Sequence, residues 1–501
     1  MKIGMLVNRM EGGGLEQLLL NITKELIEDH TIEIITTVKE GKWIDKVRDL
    51  GIFTKGFSIW SYSDPFAYIK DLAEFINSRS YDAIYINNTI YGIIASSFIN
   101  PKTKKIAVLH GIYDNTVKLT TTNSKSIDHY IAISPQTYSI LKEKIEKPNK
   151  VFLIPNGTYQ FDDNKKVNKK RTDEKLKLIY SGRITHRDKG ALFVPEIFNQ
   201  IKQKLPSSEL LVLGDGRDFD EFKKIIRKYK LNSSTSYFGM VDFSFVIEKM
   251  KESHFLLFPS IHEGFGLSII EAQSVGCIPV AHNIAGVTDT IIDHHNNGIL
   301  IQSNQIDDFS KEIISIYNDK SKMKYLSENA TRNAKKFNIK NTAVQWVQVA
   351  ELNEQSEKID TLIKTQEGSK DSIIKMLNYD GSNELIQKKS TWLENYYHKN
   401  TSNLAILNSK CRLVIFGTLE TAYYIYIDAI KYNLNIVAFI DNFTNEKALN
   451  NIPIWSSEMM YQRSDEFDTV ISSIDSNTSN TIIKTIKERL IDKEIIDWKE
   501  I

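Results

Sequence analysis

Two glutamates eight positions apart, Glu263 and Glu271, bracket the run Gly264-Phe265-Gly266-Leu267, which follows a strand-like stretch and opens a helix-like one. Glycines let a backbone come close to a ligand, and a helix start presents unpaired N–H groups to an anion. A carboxylate one turn into that helix can accept hydrogen bonds from sugar or ribose hydroxyls. The same residues equally allow a capping turn with two solvated acids. Ser181-Gly182-Arg183, with Lys189-Gly190 six residues on, is a second cluster. Arginine grips phosphate with two parallel hydrogen bonds and lysine acts as a point charge. Such a pair could neutralise a departing diphosphate without a metal, through electrostatic stabilisation alone, or it could be two solvated surface cations. Glu11-Gly12-Gly13-Gly14-Leu15-Glu16 is a third cluster, either a phosphate-approaching loop or a tight turn, and His110-Gly111 is a fourth. A lone histidine is more often structural, but His110 follows a strand-like run, where ligands meet open sheets.

These residues need elements to hold them. Ile3–Val7, Ile32–Thr37, Ala83–Ile86, Ile106–Leu109, Tyr130–Ile133 and Val151–Ile154 read as buried strands, with Leu15–Glu28 as a helix. Leu176–Tyr180, Glu209–Leu213, Thr235–Phe238, Phe255–Phe258, Ile278–Ala281 and Gly298–Ile301 read as strands of a second unit. Its helices are Ala191–Leu205, Phe219–Lys230, Phe243–Glu252, Leu267–Val275 and Ile306–Asn318, and helical sequence runs from about Ser321 to Glu357. Short apolar runs alternating with helices predict an α/β fold of two doubly wound, mostly parallel sheets, whose carboxyl ends face a cleft. The polar, basic stretch Asp162–Arg171 reads as a solvated linker rather than a lipid-binding patch. The expected domains are 1–170, 171–357, a helical linker 358–408 and a small Rossmann-like module 409–501.

Size and composition exclude several classes. A chain of 501 residues suggests two to four domains. A net charge of +1 disfavours a broad nucleic-acid surface. The two cysteines, Cys277 and Cys411, make neither a disulfide framework nor a zinc site, and a reducing compartment fits them. No leader-like start and no 18-residue apolar run is present. The expected location is the cytoplasm, with contact at the inner face of a membrane left open.

Together the clusters resemble the GT-B glycosyltransferases of family 4, which are retaining enzymes, over about Lys2 to Glu357. Glu263 to Glu271 matches the family's Glu-x7-Glu pattern, and Arg183 and Lys189 keep its spacing. Leu213-Gly214-Asp215-Gly216 and Phe238-Gly239-Met240-Val241 sit where the family places nucleotide-contacting turns. The resemblance implies that Arg183 and Lys189 bind the donor diphosphate and that Glu271 holds the ribose hydroxyls. Glu263 would contact the donor sugar, aided by backbone groups of Phe265, Gly266 and Leu267. Gly214, Gly216 and Gly239, Met240 and Val241 would line the nucleotide, Gly13 and Gly14 the phosphate, and His110 the transferred sugar. Neither cofactor nor metal is expected. The implied partners are a nucleotide-sugar donor, UDP being the base-rate choice, and a glycan, glycolipid or protein acceptor. Asn341–Glu351 would cross back onto the first domain. Glu16-Gln17 departs from the family's Glu-Arg and removes a positive charge on the acceptor side. A non-catalytic partner or chaperone subunit on this fold is the competing reading, and an epimerase or phosphorylase a third.

The third module, with strands expected at Leu413–Phe416, Ile436–Ile440 and Thr469–Ser472, carries Gly417 and Ala422 at dinucleotide-fingerprint positions, but Leu419 replaces the middle glycine, and Asp441 follows the second strand. A structural or docking role, to an oligomer or partner protein, is the expectation. Trp60 and Tyr62 could stack on an acceptor sugar or join the core, with the core favoured.

Overall fold

A computed structural model describes residues 1–62, 64–161, 175–303, 305–352, 410–417, 420–442, 447–474 and 479–500, with 392, 403, 404, 407 and 444. The linker expected at Asp162–Arg171, most of 358–408, and Leu419 lie outside the described residues.

The first sheet has seven parallel strands: β1 (Lys2–Val7), β2 (Thr31–Thr36), β3 (Phe53–Gly56), β4 (Ala83–Asn87), β5 (Lys104–Leu109), β6 (His129–Ala132) and β7 (Val151–Leu153). Their order is β3-β2-β1-β4-β5-β6-β7. The second has six parallel strands: β8 (Lys177–Ser181), β9 (Glu209–Leu213), β10 (Thr235–Gly239), β11 (Phe255–Phe258), β12 (Ile278–His282) and β13 (Ile299–Ile301). Their order is β10-β9-β8-β11-β12-β13. Runs such as Phe255-Leu256-Leu257-Phe258 are apolar throughout because helices cover both faces of each sheet, and all four side chains are buried.

Each sheet reverses its strand order once, between β1 and β4 in the first and between β8 and β11 in the second. The connections diverge there and leave a crevice at the carboxyl ends. The glycine loop follows β1, Asn88 follows β4, Arg183 follows β8 and Ser260 to Glu263 follow β11. Three of the four clusters therefore sit at switch points, and the fourth, His110-Gly111, follows the neighbouring strand β5.

The helical sequence expected to run from Ser321 to Glu357 is broken. A 3₁₀ turn, Lys335–Phe337, separates the helices Lys320–Ala334 and Ile339–Glu351. Asn338 caps the second by accepting from Lys340 N–H at 2.9 Å. This helix packs on the first domain: Trp346 is buried and stacks on Tyr85 of β4 at 4.8 Å. A Cβ on Gly157 would lie 2.6 Å from Ile339 Cα, so glycine lets the interdomain chain pass close beneath the helix.

The third sheet runs β16 (Ala448–Leu449), β17 (Ile452–Trp455), β15 (Asn435–Ile440), β14 (Arg412–Phe416), β18 (Thr469–Ser472) and β19 (Glu494–Asp497). It is parallel apart from the β16–β17 hairpin. Strands β3, β16, β17 and β19 are additions to the sequence expectations; short or half-polar, they lack the long apolar runs that betray buried strands. This module shares a core with the first domain. The Trp60 ring meets Tyr423 at 5.4 Å and Phe439 at 5.3 Å, edge to face, and the Tyr423 hydroxyl donates to the Tyr62 carbonyl at 3.0 Å. Trp60 thus packs in a core, and that core joins two modules. Among the described residues no helix is long and apolar enough to cross a membrane.

Candidate functional site

A cleft of about 380 Å³ lies between the carboxyl ends of the first two sheets. Its second-domain wall is assembled by backbone. Gly190 has φ +58°, and a Cβ there would sit 2.0 Å from the Pro259 carbonyl oxygen. Glycine thus lets the short helix His186–Lys189 lie against the loop after β11. Ile261 and His262 N–H groups both donate to the Asp188 carbonyl, at 2.8 and 3.0 Å. This clamp brings Lys189 Nζ onto Glu263 Oε1, an ion pair with side chains 21% and 10% exposed. The Ser260 hydroxyl donates to the same carboxylate oxygen at 3.0 Å.

Arg183 is held differently. Gly182 N–H donates to the Leu213 carbonyl and Ile184 N–H to the Asp215 carbonyl, at 3.0 and 2.9 Å. Gly214 has φ +129°, and a Cβ there would meet the Gly182 oxygen at 2.0 Å. The loops after β8 and β9 therefore touch backbone to backbone. Arg183 is exposed and makes no ion pair among the described residues. It is a cation with its charge open to an anionic ligand.

Gly266, at φ +108°, turns the chain into the helix Leu267–Ser274, whose start lines the cleft. Glu271 lies one turn on, also lining the cleft, and burial pushes its carboxyl up to about 7. Phe265, Leu267, Gly239, Met240 and Val241 complete this wall.

The first-domain residues that line the cleft carry no charged side chain, although the Glu16 carboxylate lies beside Gly13 and within electrostatic reach of Arg183. Gly13 and Gly14 are among these lining residues, as is His110, whose Nε2 is 2.9 Å from Asn87 Oδ1. Asn87 Nδ2 donates to the carbonyls of Leu6 and Tyr85. The amide oxygen is thereby left to accept, so His110 Nε2 carries the proton and Nδ1 the lone pair. Burial lowers the histidine to about 3, so the ring is uncharged. A Cβ on Gly264 would lie 2.2 Å from the His110 carbonyl oxygen, so the two walls meet where no side chain fits between them.

Of the residues expected at the site, all but one line this single cleft. Gly216 does not: a Cβ there would lie 2.4 Å from the Ile184 carbonyl oxygen, so this glycine serves packing beneath the Arg183 loop. The cleft also has walls that sequence reasoning missed. Trp43 packs its ring over Gly12, at 2.7 Å from where a Cβ would be, and Lys46 Nζ lies over that ring at 4.2 Å. Asn88, Asn156 and Tyr180 line it too. A lone tryptophan in the polar stretch Lys39–Asp45, and asparagines just after β4 and β7, were the available signals.

Residues 12–158 match the family model described as Glycosyltransferase Family 4, and residues 161–333 match Glycosyl transferases group 1. A Methanocaldococcus jannaschii protein named as an uncharacterized glycosyltransferase is 26% identical over 382 residues, 68% of this chain and 95% of that protein. The poly(glycerol-phosphate) alpha-glucosyltransferase of Bacillus subtilis is 26% identical over 54% of this chain and 40% of its own length. Among solved structures, Anabaena HepE in complex with UDP and glucose superposes with a TM-score of 0.59 at 19% identity, covering 70% of this chain and 100% of that one. A mutant of S. aureus TarM, in complex with Fondaparinux, alpha-GlcNAc-glycerol and UDP, gives 0.58 at 15% identity, with 70% and 100% covered. With two switch-point crevices facing each other and both family segments in tandem, the chain is a GT-B glycosyltransferase.

Proposed function

We propose that the chain is a retaining transferase moving a hexose or N-acetylhexosamine from a UDP-sugar to a glycan, glycolipid or protein acceptor, in the synthesis of cell-surface polysaccharide or glycoconjugate. One observation carries the reading. A single cleft joins the open cation Arg183, the Lys189–Glu263 pair and Glu271 at a helix start, and sets neutral His110 opposite. The charged wall suits a diphosphate and the uncharged lining of the first domain a sugar. UDP is supported by the structural neighbours solved with it, and hexose or N-acetylhexosamine by relatives named for glucosyl and N-acetylglucosaminyl transfer.

In this mechanism Arg183 and Lys189 neutralise the departing diphosphate, supported by the N–H groups that open Leu267–Ser274. The bond from the anomeric carbon to the phosphate oxygen breaks while the acceptor oxygen bonds to the same face. The acceptor proton passes to the leaving phosphate oxygen, so no protein nucleophile and no metal take part. Glu263 orients a sugar hydroxyl, and Glu271 the ribose. The third module serves docking, holding the first domain's Trp60 loop and offering its outer face to a partner.

The test is a screen of UDP-, GDP- and ADP-sugars for released nucleoside diphosphate, followed by mass and NMR analysis of the product linkage. Release from a UDP-hexose or UDP-N-acetylhexosamine with the anomeric configuration kept is the expected result. An inverted product refutes the mechanism, and no release from any donor refutes the catalytic reading.

A further inference from the structure

Among the described residues, none hydrogen-bonds the Asn88 side chain. The residue follows β4 at the switch point of the first sheet and lines the cleft beside the Asn87–His110 hydrogen bond. Its Oδ1 is buried without a hydrogen-bond partner, and its carboxamide makes no other hydrogen bond among the described residues. Its backbone stands at φ +48°, a left-handed conformation uncommon for residues other than glycine. A buried amide oxygen left unpaired costs free energy that a bound partner recovers. An unmet buried polar atom lining the cleft points to a ligand rather than to the fold.

The chemistry narrows the ligand. A carboxamide offers two donors and one acceptor, whereas phosphate oxygens only accept. The cations that suit a diphosphate, Arg183 and Lys189, stand on the opposite wall. Beside Asn88 the wall is uncharged, since His110 is neutral. A sugar hydroxyl, which both donates and accepts, matches a carboxamide in such surroundings. Resting on the proposed donor site, we infer that Asn88 hydrogen-bonds a hydroxyl of the transferred sugar and thereby takes part in choosing the donor.

Asn88→Gly is the informative variant. Glycine accepts the positive φ freely, so the fold keeps its stability or gains some, while the carboxamide is lost. Wild type and variant are compared by thermal shift with UDP alone, and by nucleoside diphosphate released from a panel of UDP-, GDP- and ADP-sugars. The expected result is an unchanged shift with UDP and a fall in kcat/KM of about 10- to 100-fold for the preferred donor, as for one lost hydroxyl contact. Asn88→Asp, which keeps the acceptor and loses the donors, should fall between the two and change the ranking of donors. If Asn88→Gly turns over within about twofold of wild type, the asparagine merely tolerates a left-handed turn and the inference is overturned. If wild type releases nothing from any donor, the donor-site reading itself fails and this inference falls with it.

Discussion

The Lys189–Glu263 pair has two separable roles, one in stability and one in turnover. Lys189→Ala removes a cation that the proposed mechanism sets against the leaving diphosphate, and it strands Glu263, whose side chain is only 10% exposed. The Ser260 hydroxyl at 3.0 Å is the partner that Glu263 keeps. Losing one partner of a largely buried pair costs about 1–3 kcal/mol, below the cost in a dry interior because Lys189 is 21% exposed. Unfolding would then begin several degrees lower, at about 2–4 °C per kcal/mol for domains of this size. Turnover should fall by about 10²-fold or more. Glu263→Gln in the Lys189→Ala background removes the stranded charge. The double variant should regain most of the lost thermal stability, measured by calorimetry, and none of the turnover, measured by released nucleoside diphosphate. Recovery of turnover together with stability would show that Lys189 acts only by neutralising Glu263 and not on the diphosphate. Wild-type turnover in Lys189→Ala alone would remove Lys189 from the mechanism.

Three further outcomes follow from the geometry. The unfolded chain protonates His110 near pH 6.5 while the folded one refuses the proton until about pH 3, so this residue costs stability as pH falls through that window. Glu271 acts oppositely: the unfolded chain releases its proton near 4.5 and the folded one near 7, so stability is lost as pH rises between them. Melting temperature against pH should therefore flatten on the acid side in His110→Asn and on the near-neutral side in Glu271→Gln, each by up to about 1.4 kcal/mol per pH unit. Gly264→Ala puts a methyl group 2.2 Å from the His110 carbonyl oxygen and should force the walls apart, weakening UDP binding at least tenfold by calorimetric titration while each domain stays folded. Trp60→Ala removes the ring between Tyr423 and Phe439 and should loosen the third module, seen as a lower melting transition by calorimetry, at a cost of about 2–4 kcal/mol.

Much of this protein was legible along the chain because its signals are local. A strand buried on both faces must be apolar throughout, so β9 and β11 could be read residue for residue at Glu209–Leu213 and Phe255–Phe258. A backbone that must pass close to something needs glycine, so Gly190, Gly214, Gly264 and Gly266 stand out as sequence features, and nearly all the site residues named from them share one cleft. Gly216, named from the resemblance, lies off the cleft, because a glycine does not say what approaches it. Here that is the Ile184 backbone, away from the cleft. Tertiary structure alone decided the rest. Lys189 and Glu263 are 74 positions apart, and only the clamp through Asp188 and Gly190 makes them a pair. The protonation of Glu271 and His110 depends on what covers them, which no spacing encodes. Trp60 has the composition of either a sugar platform or a core side chain, and a module more than 350 residues downstream settles it as core. Periodicity and glycine placement are properties of short segments, whereas charge pairing, burial and the choice of neighbour arise only when distant segments are packed together.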